Sequence, residues 1–496
     1  MSATASWGSR LGFILASAGS AVGLGAIWKF PYMSGSNGGA AFMIPYILFT
    51  LTIGVAMLLA EYAVGRAGRA GAVGSLKKVA GRWWGIFGFI GMLTGFTILC
   101  FYSAVGGWCL KYLVDAVLGN GLIKDAALLN SHFGAFVSNG PVSFAYQAVF
   151  LILNAVVVLG GVNTGLERLS KVLMPLLFIL MLILIVRGLT LPGAVKGLEY
   201  LFLPRWDQFT SSSAFNAMGF AFFSLSLGAG TMVTYACYLS EKSNLVTSTA
   251  WVAVLAIFSA LLGGLMVMPT VFAFGLDPNA GPGLTFVTMP AIFAQLPAGQ
   301  FFAVAFYLCL VFAALTSSVS MLEAVVGTVS NELHFTRRSI VVGGTIVAMI
   351  VGLFCDLSFG ALADFKIFGK TVFDLLDYLT SNVGMPLSAM GFLIAAAWVA
   401  WKNYTAHQLQ TVKPLSPAAQ HDPLLHGHSR SVHDRDRGRD KHLRQLKPHR
   451  TAERRLPLGF SAVVSNAMGL LSLSAGVMVT YAGYLSEKSN LVTSTA

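Results

Sequence analysis

One stretch, Gly12 to Pro31 (GFILASAGSAVGLGAIWKFP), limits what the rest of the chain can be. It begins as an apolar helix and loses helical character halfway along. Gly19, Gly23 and Gly25 sit mid-span, each costing about 1 kcal/mol of helix propensity relative to Ala, and the Ser20 hydroxyl competes for backbone groups. An unwound turn at bilayer depth is the expected result. Lipid cannot hydrogen-bond the freed N–H and C=O groups, so such a turn survives only where protein buries it or a wet cavity solvates it. The half-helix ends there carry about +0.5 and −0.5 of a charge, suited to a carboxylate and a cation. A helix broken in this way is a ligand site.

The whole chain has the composition of a polytopic membrane protein: 496 residues, 56% hydrophobic and 10% charged, well above the apolar share of a soluble domain. Its net charge of +12 raises the question of a nucleic-acid partner, but the basic residues are scattered. Up to Lys402 there are 20 Lys and Arg against 14 Asp and Glu; the remaining 12 and 6 lie beyond it, so half the excess comes from the tail. No nucleic-acid partner is expected. Cys100, Cys109, Cys237, Cys309 and Cys355 all lie in apolar runs without CxxC spacing and read as small apolar fillers. No basic n-region precedes a compact apolar core and cleavage site, so the first helix is expected to be retained.

Apolar runs long enough to cross a bilayer, roughly 20 residues each, fall near 11–33, 40–64, 85–115, 145–162, 169–190, 213–239, 248–275, 298–330, 338–356 and 371–401. Basic residues alternate between the connections: Arg66, Arg69, Lys77, Lys78 and Arg82, then Arg168 and Lys171, then Lys242, then Arg337 and Arg338. By the positive-inside rule both ends of this ten-helix unit are cytoplasmic. Trp83, Trp84, Trp398 and Trp401 fit interfacial anchors. The sixth run repeats the oddity of the first, with Gly228 and Gly230 beside Ser224 and Ser226. Interrupted helices at matching places in two five-helix halves, 11–190 and 213–402, are the signature of an inverted repeat with its site at the midplane. Glycine used for close helix packing is the alternative, but it does not explain the spacing.

Past Lys402 the chain turns polar, mixed in charge and rich in His and Arg, so 403–460 reads as a disordered tail. Its histidines show no repeating metal-ligand spacing. Residues 461–496 then nearly copy 215–250, and Tyr484 to Ala496 matches Tyr238 to Ala250 letter for letter. That identity reads as sequence duplication after a frameshift, with an eleventh or twelfth helix lost.

The motifs AGSAVGLG and WKFPY (between Ala18 and Tyr32), NGGAAFMIPY (Asn37 to Tyr46), FFSLSLGAG (Phe222 to Gly230), ALTSSVSMLE (Ala314 to Glu323) and FDLLDYLTSN (Phe373 to Asn382) occur in order. On them the chain resembles the neurotransmitter:sodium symporter family, in particular its bacterial amino-acid transporters of the LeuT fold, from Trp7 to about Trp401. The resemblance implies an all-α membrane protein with a 5+5 inverted repeat and interrupted first and sixth helices. It also implies a sodium-coupled symporter in the bacterial inner membrane, taking an amino acid, with no organic cofactor. Oligomeric state stays open.

Residue by residue, the resemblance implies one sodium site from the carbonyls of Gly19, Val22 and Ala313 with the hydroxyls of Thr316 and Ser317. Both hydroxyls could instead bond back into their own helix. For the family's other sodium site only Ala21 and Ser224 remain. Its Asn is Ala26 here, and no Asn, Asp or Glu occurs from Trp251 to Gly275, so that site is expected to be weak, absent or differently built, and one coupled sodium is the working number. The bound amino acid is implied against Ser20, Ala21, Leu24, Gly25, Ile98, Tyr102, Phe223, Ser224, Ser226, Ala229, Ser317 and Met321, in a roomy pocket suited to a large apolar or aromatic side chain.

Lys29 and Asp377 match the family's outer gate pair, with Tyr102 and Phe223 as the lid beneath. At the inner face the family's ion pair is replaced by Thr4 and Asn331, so closure falls to Trp7, Tyr238, Glu323 or a shifted contact such as Glu332. Glu323 reads as a latch to Tyr238, or as a proton carrier in a proton-coupled transporter. The other rival is a non-transporting product of the rewritten C-terminus. A channel would need a continuous polar path, and an enzyme finds no HExxH, GxSxG or nucleotide loop.

Overall fold

A computed structural model describes residues 6–120, 122–276 and 284–399. The polar tail, the copied segment 461–496, and Thr4 lie outside the described residues.

Among the described residues, ten spans follow the apolar runs. Eight are helical stretches long and apolar enough to cross a bilayer: Ala40–Gly68, Arg82–Leu118, Gly140–Leu159, Val162–Leu189, Leu245–Ala273, Gly299–Leu333, Arg337–Leu357 and Val372–Val399. The first and sixth fail that length test because they are broken. The first is Arg10–Ala21 followed by Leu24–Ile27 and Lys29–Ser36; the sixth is Ser211–Ser224 followed by Thr231–Cys237. The breaks fall at Val22–Gly23 and over 225–230, where the glycines and serines concentrate.

The sixth-span break needs its glycines. Gly228 and Gly230 sit at φ +76° and +70°, and a Cβ on Gly228 would collide with the Met385 carbonyl of the tenth span. Ser226 adopts φ +52°, a costly conformation for a non-glycine residue, held by its hydroxyl's bond to the Ser20 carbonyl at 2.9 Å.

Packing across the two halves is reciprocal. The first span lies on the seventh, and the sixth lies on the second, as an inverted five-helix repeat requires. The eighth span packs on the third, fifth and first, and on the inner half of the sixth; 72% of its central window is buried, against 33% for the fourth and fifth. It is therefore the central helix, and the fourth and fifth present most of their surface to lipid. All five cysteines are buried and free, as expected of apolar fillers.

Among the described residues, five helical segments escape the span pattern: Gly71–Ala80, Ala126–Ser138, Ala194–Phe202, the single turn Trp206–Gln208 and the run Leu284–Thr288 with Met289–Phe293. Each is too short to register as a crossing.

Gly228→Ala is expected to lower the melting temperature of the detergent-purified protein by several degrees, read with a thiol-reactive dye on the buried cysteines. Gly343→Ala, where a Cβ meets nothing within 4 Å, should leave it unchanged to within about 1 °C, Ala being the better helix former.

Candidate functional site

The two breaks face each other. The Ser226 hydroxyl donates to the Ser20 carbonyl, and the Ser20 hydroxyl meets that of Ser320 at 2.7 Å and that of Ser226 at 3.4 Å. From the eighth span, the Ser317 hydroxyl lies 3.2 Å from the carbonyls of both Gly19 and Ser20. From the third, the Tyr102 hydroxyl accepts from the Leu24 backbone N–H at 3.2 Å. The backbone freed by unwinding is satisfied by hydroxyls that a ligand could replace.

A pocket opens between these segments, but it is not the roomy one expected: in this conformation it holds only about 30 Å3, because Phe223, Met321 and Met385 fill it from three sides. Eleven of the twelve residues expected around a bound amino acid line it: Ser20, Ala21, Gly25, Ile98, Tyr102, Phe223, Ser224, Ser226, Ala229, Ser317 and Met321. Leu24 is absent from the wall and contributes its backbone N–H through Tyr102. Gly23, Ala26, Thr231 and Met385 complete the lining and were not expected. Gly23 is required, since a Cβ there would stand 2.6 Å from the Ser317 hydroxyl. Tyr102 Oη and the Leu24 N–H stand at the N-terminus of the second half-helix, an arrangement that favours an anion.

The oxygens expected to hold sodium are close neighbours. Ser317 Oγ reaches the Gly19 carbonyl. Thr316 Oγ1 lies 3.2 Å from the Ala313 carbonyl and 3.0 Å from that of Phe312, so it also bonds back into its own helix. A Cβ on Gly19 would stand 3.1 Å from that of Thr316, which shows how closely the first and eighth spans approach. Val22 is the residue at which the first half-helix ends, leaving its carbonyl past the last regular turn. The donor set is neutral oxygen throughout, which suits a hard monovalent cation.

The residues expected at a second cation position offer fewer oxygens. Ala26 presents a methyl, and the seventh span packs Gly263 directly against the Ala26 carbonyl. Ser224 donates to the Ala221 carbonyl at 3.1 Å and lies 3.4 Å from the Tyr46 hydroxyl. Ala21 and Ser224 do line the pocket, but no side-chain oxygen replaces the missing pair.

Above the pocket lies a vestibule of about 640 Å3 whose walls include Lys29, Tyr32, Asn37, Asn216 and Asp377. Phe223 lines both cavities and separates them, its ring pressed on Gly25. Lys29 and Asp377 are not in ion-pair contact: Lys29 Nζ sits 5.1 Å over the Phe223 ring, and Asp377 accepts from the Ser381 hydroxyl at 3.1 Å. The vestibule stands open between them, so the outer pair is apart in this conformation.

The side opposite the vestibule is shut. Trp7 Nε1 donates to the Tyr235 carbonyl at 2.8 Å, and the Trp7 N–H to that of Tyr238 at 3.3 Å. Tyr238 donates to Glu323 at 2.9 Å. Glu323 is fully buried and is also gripped by Arg337, one of whose contacts is 3.1 Å; Arg337 further donates to the Val158 carbonyl at 2.9 and 2.8 Å. Glu332 pairs with Lys77 instead of closing toward the first helix, and Asn331 bonds the Gly327 carbonyl of its own helix.

Three participants carry no local sequence signal of their role. In the sequence Arg337 reads only as a topogenic charge. Glu167 holds the start of the first helix, accepting from the Gly8 N–H at 2.6 Å and the Ser9 hydroxyl at 2.8 Å while paired with Lys171. Glu61, buried in the second span, accepts from the Gly228 N–H at 2.8 Å. The available signal was the cost of a charge inside a span, which demands a partner for Glu61 as it did for Glu323.

A model of the sodium:neurotransmitter symporter family matches residues 4–121 and 128–421, running some twenty residues past Trp401. The chain is 42% identical over 385 residues to an uncharacterized sodium-dependent transporter, YhdH, of Bacillus subtilis, covering 77% of this chain and 85% of that one. It is 33% identical over 426 residues to another from Haemophilus influenzae, covering 82% and 92%. Among solved structures, MhsT in complex with L-phenylalanine is similar with a TM-score of 0.77 and 40% identity, over 82% of this chain and 93% of that one.

Breaking a buried ion pair by removing one partner costs about 3–5 kcal/mol, because a charge is left uncompensated. Arg337→Gln, which strands the fully buried Glu323 carboxylate while Arg337 itself is 29% exposed, is therefore expected to lower the melting temperature much more than the double variant Glu323→Gln/Arg337→Gln. Equal losses would show that the two side chains are not coupled.

Proposed function

Because the chain belongs to the sodium:neurotransmitter symporter family, a family of membrane transporters with the LeuT fold, we propose that it is a sodium-coupled symporter for a neutral amino acid with a large apolar or aromatic side chain. The observation that carries this reading is the pocket between the two unwound segments, with an anion-favouring N–H and hydroxyl at Leu24 and Tyr102 and a cluster of neutral oxygens at Gly19, Ala313, Thr316 and Ser317.

The substrate carboxylate binds at Tyr102 Oη and the half-helix N-terminus. Its ammonium binds the Ser226 hydroxyl and the unwound carbonyls, and its side chain lies against Ile98, Ala229 and Met321. In this conformation the cavity holds only about 30 Å3, so an aromatic ring enters by rearrangement of the pliable Met321 beside the small Ala229; a relative of 40% identity has been solved with L-phenylalanine. One sodium is carried, on Gly19, Val22, Ala313, Thr316 and Ser317.

The open vestibule and shut inner side correspond to an outward-facing state. Phe223, which already stands between vestibule and pocket, swings aside to admit the substrate and returns above it with Tyr102; Lys29 then approaches Asp377, and the inner contacts of Trp7, Tyr238, Glu323 and Glu167 release. Glu323 acts as a latch, since two Arg337 contacts hold it as a carboxylate acceptor. A zwitterion carried with one sodium moves one net charge, worth about 2.3 kcal/mol per 100 mV, to which the sodium gradient adds. The distribution of basic loops supports a multi-pass protein of the bacterial plasma membrane with a cytoplasmic N-terminus.

The test is uptake of radiolabelled L-amino acids into proteoliposomes under an inward sodium gradient. Uptake of L-phenylalanine or a similar residue is expected, falling more than about tenfold when potassium replaces sodium and in Thr316→Ala/Ser317→Ala, since a tenfold effect needs only about 1.4 kcal/mol of lost binding. Uptake indifferent to sodium would overturn the reading.

A further inference from the structure

A groove of about 460 Å3 runs along the outside of the molecule, between the helix Gly71–Ala80, the start of the third span and the last turns of the eighth. It lies apart from the pocket and the vestibule and shares no lining residue with either. Its mouth holds Arg82, Lys77 and Trp83; its wall holds Ile86, Phe89 and Val329. Trp83 is 88% exposed, Ile86 55% and Phe89 46%. A tryptophan so exposed at the end of a spanning helix, beside an arginine, marks the level of the lipid headgroups, and the isoleucine and phenylalanine one and two turns on face the acyl chains.

The groove is not electrically neutral. Lys77 is paired with Glu332, and its stem lies over Gly85, where a Cβ would stand 2.8 Å from Lys77 Cγ. Arg82 is exposed and, among the described residues, has neither a hydrogen-bond nor an ion-pair partner. With Glu332, which also lines the groove, taken up by Lys77, one uncompensated guanidinium stands at headgroup level above an apolar wall. A hydrocarbon occupant would leave that charge unmatched, and a zwitterionic lipid brings its own cation to compete for the phosphate. Basic pockets between spanning helices select anionic headgroups, and a guanidinium matches phosphate with paired donors.

We propose that this groove binds one anionic phospholipid, its phosphate on Arg82 with Lys77 alongside and one acyl chain along Ile86, Phe89 and Val329. The proposal rests on the chain spanning a membrane and not on the transport reading.

Native mass spectrometry of the full-length, delipidated protein tests it, with titration of phosphatidylglycerol and, separately, of phosphatidylcholine. A single phosphatidylglycerol adduct is expected at concentrations where phosphatidylcholine gives none. Arg82→Gln should weaken it about fivefold, the worth of one basic side chain at an anionic lipid, while Arg338→Gln, an exposed arginine outside the groove, leaves it unchanged. Unchanged melting temperatures show that both variants are folded. Equal binding of the two lipids, no weakening by Arg82→Gln, or equal weakening by both variants would overturn the proposal.

Discussion

The structure depends on how backbone polar groups are satisfied at a depth where no water is available. Unwinding the first and sixth spans frees N–H and C=O groups that lipid cannot accept, each costing several kcal/mol if orphaned. The chain answers with side chains from other spans: Ser226 and Ser317 on the carbonyls of Gly19 and Ser20, Tyr102 on the Leu24 N–H, and Glu61 on the Gly228 N–H. All but Glu61 line the pocket. The groups that make the break tolerable are thus the groups available to a ligand, and fold and site are solved together.

The same constraint explains the asymmetry between the two faces. On the inner side a buried carboxylate, Glu323, is shared by Tyr238 and Arg337, and a second, Glu167, holds the N-terminus of the first helix. On the outer side Lys29 and Asp377 stand apart across a wide vestibule. Ion pairs cost desolvation and recover it only when geometry is good, and the Glu323 carboxylate has the Tyr238 hydroxyl and the Arg337 guanidinium to supply it. The closure on that side joins Trp7, ahead of the first helix, to helices six, eight and nine and to the fourth-span carbonyl of Val158.

Much of this was legible in the sequence, for identifiable reasons. Apolar runs of 20 residues and glycine clusters are local signals, and they located ten spans and both breaks. Eleven of twelve expected pocket residues line the pocket because the motifs that carry them are contiguous on a few helices. What escaped was non-local or short. Met385 and Thr231 reach the pocket only through the packing of the tenth and sixth spans, and the pairing of Arg337 with Glu323 is set by a turn between helices. The helices Gly71–Ala80 and Ala126–Ser138 are below crossing length, and the first of them forms one side of the groove at Arg82.

The most direct test of the account is a structure determined with sodium and L-phenylalanine present. The account predicts ligand density between Ser20–Gly25 and Phe223–Ala229, with the carboxylate on Tyr102 Oη and the Leu24 N–H, and a cation among the oxygens of Gly19, Ala313, Thr316 and Ser317. Ligand bound only in the vestibule, or a first helix running unbroken through Val22 and Gly23, would contradict it.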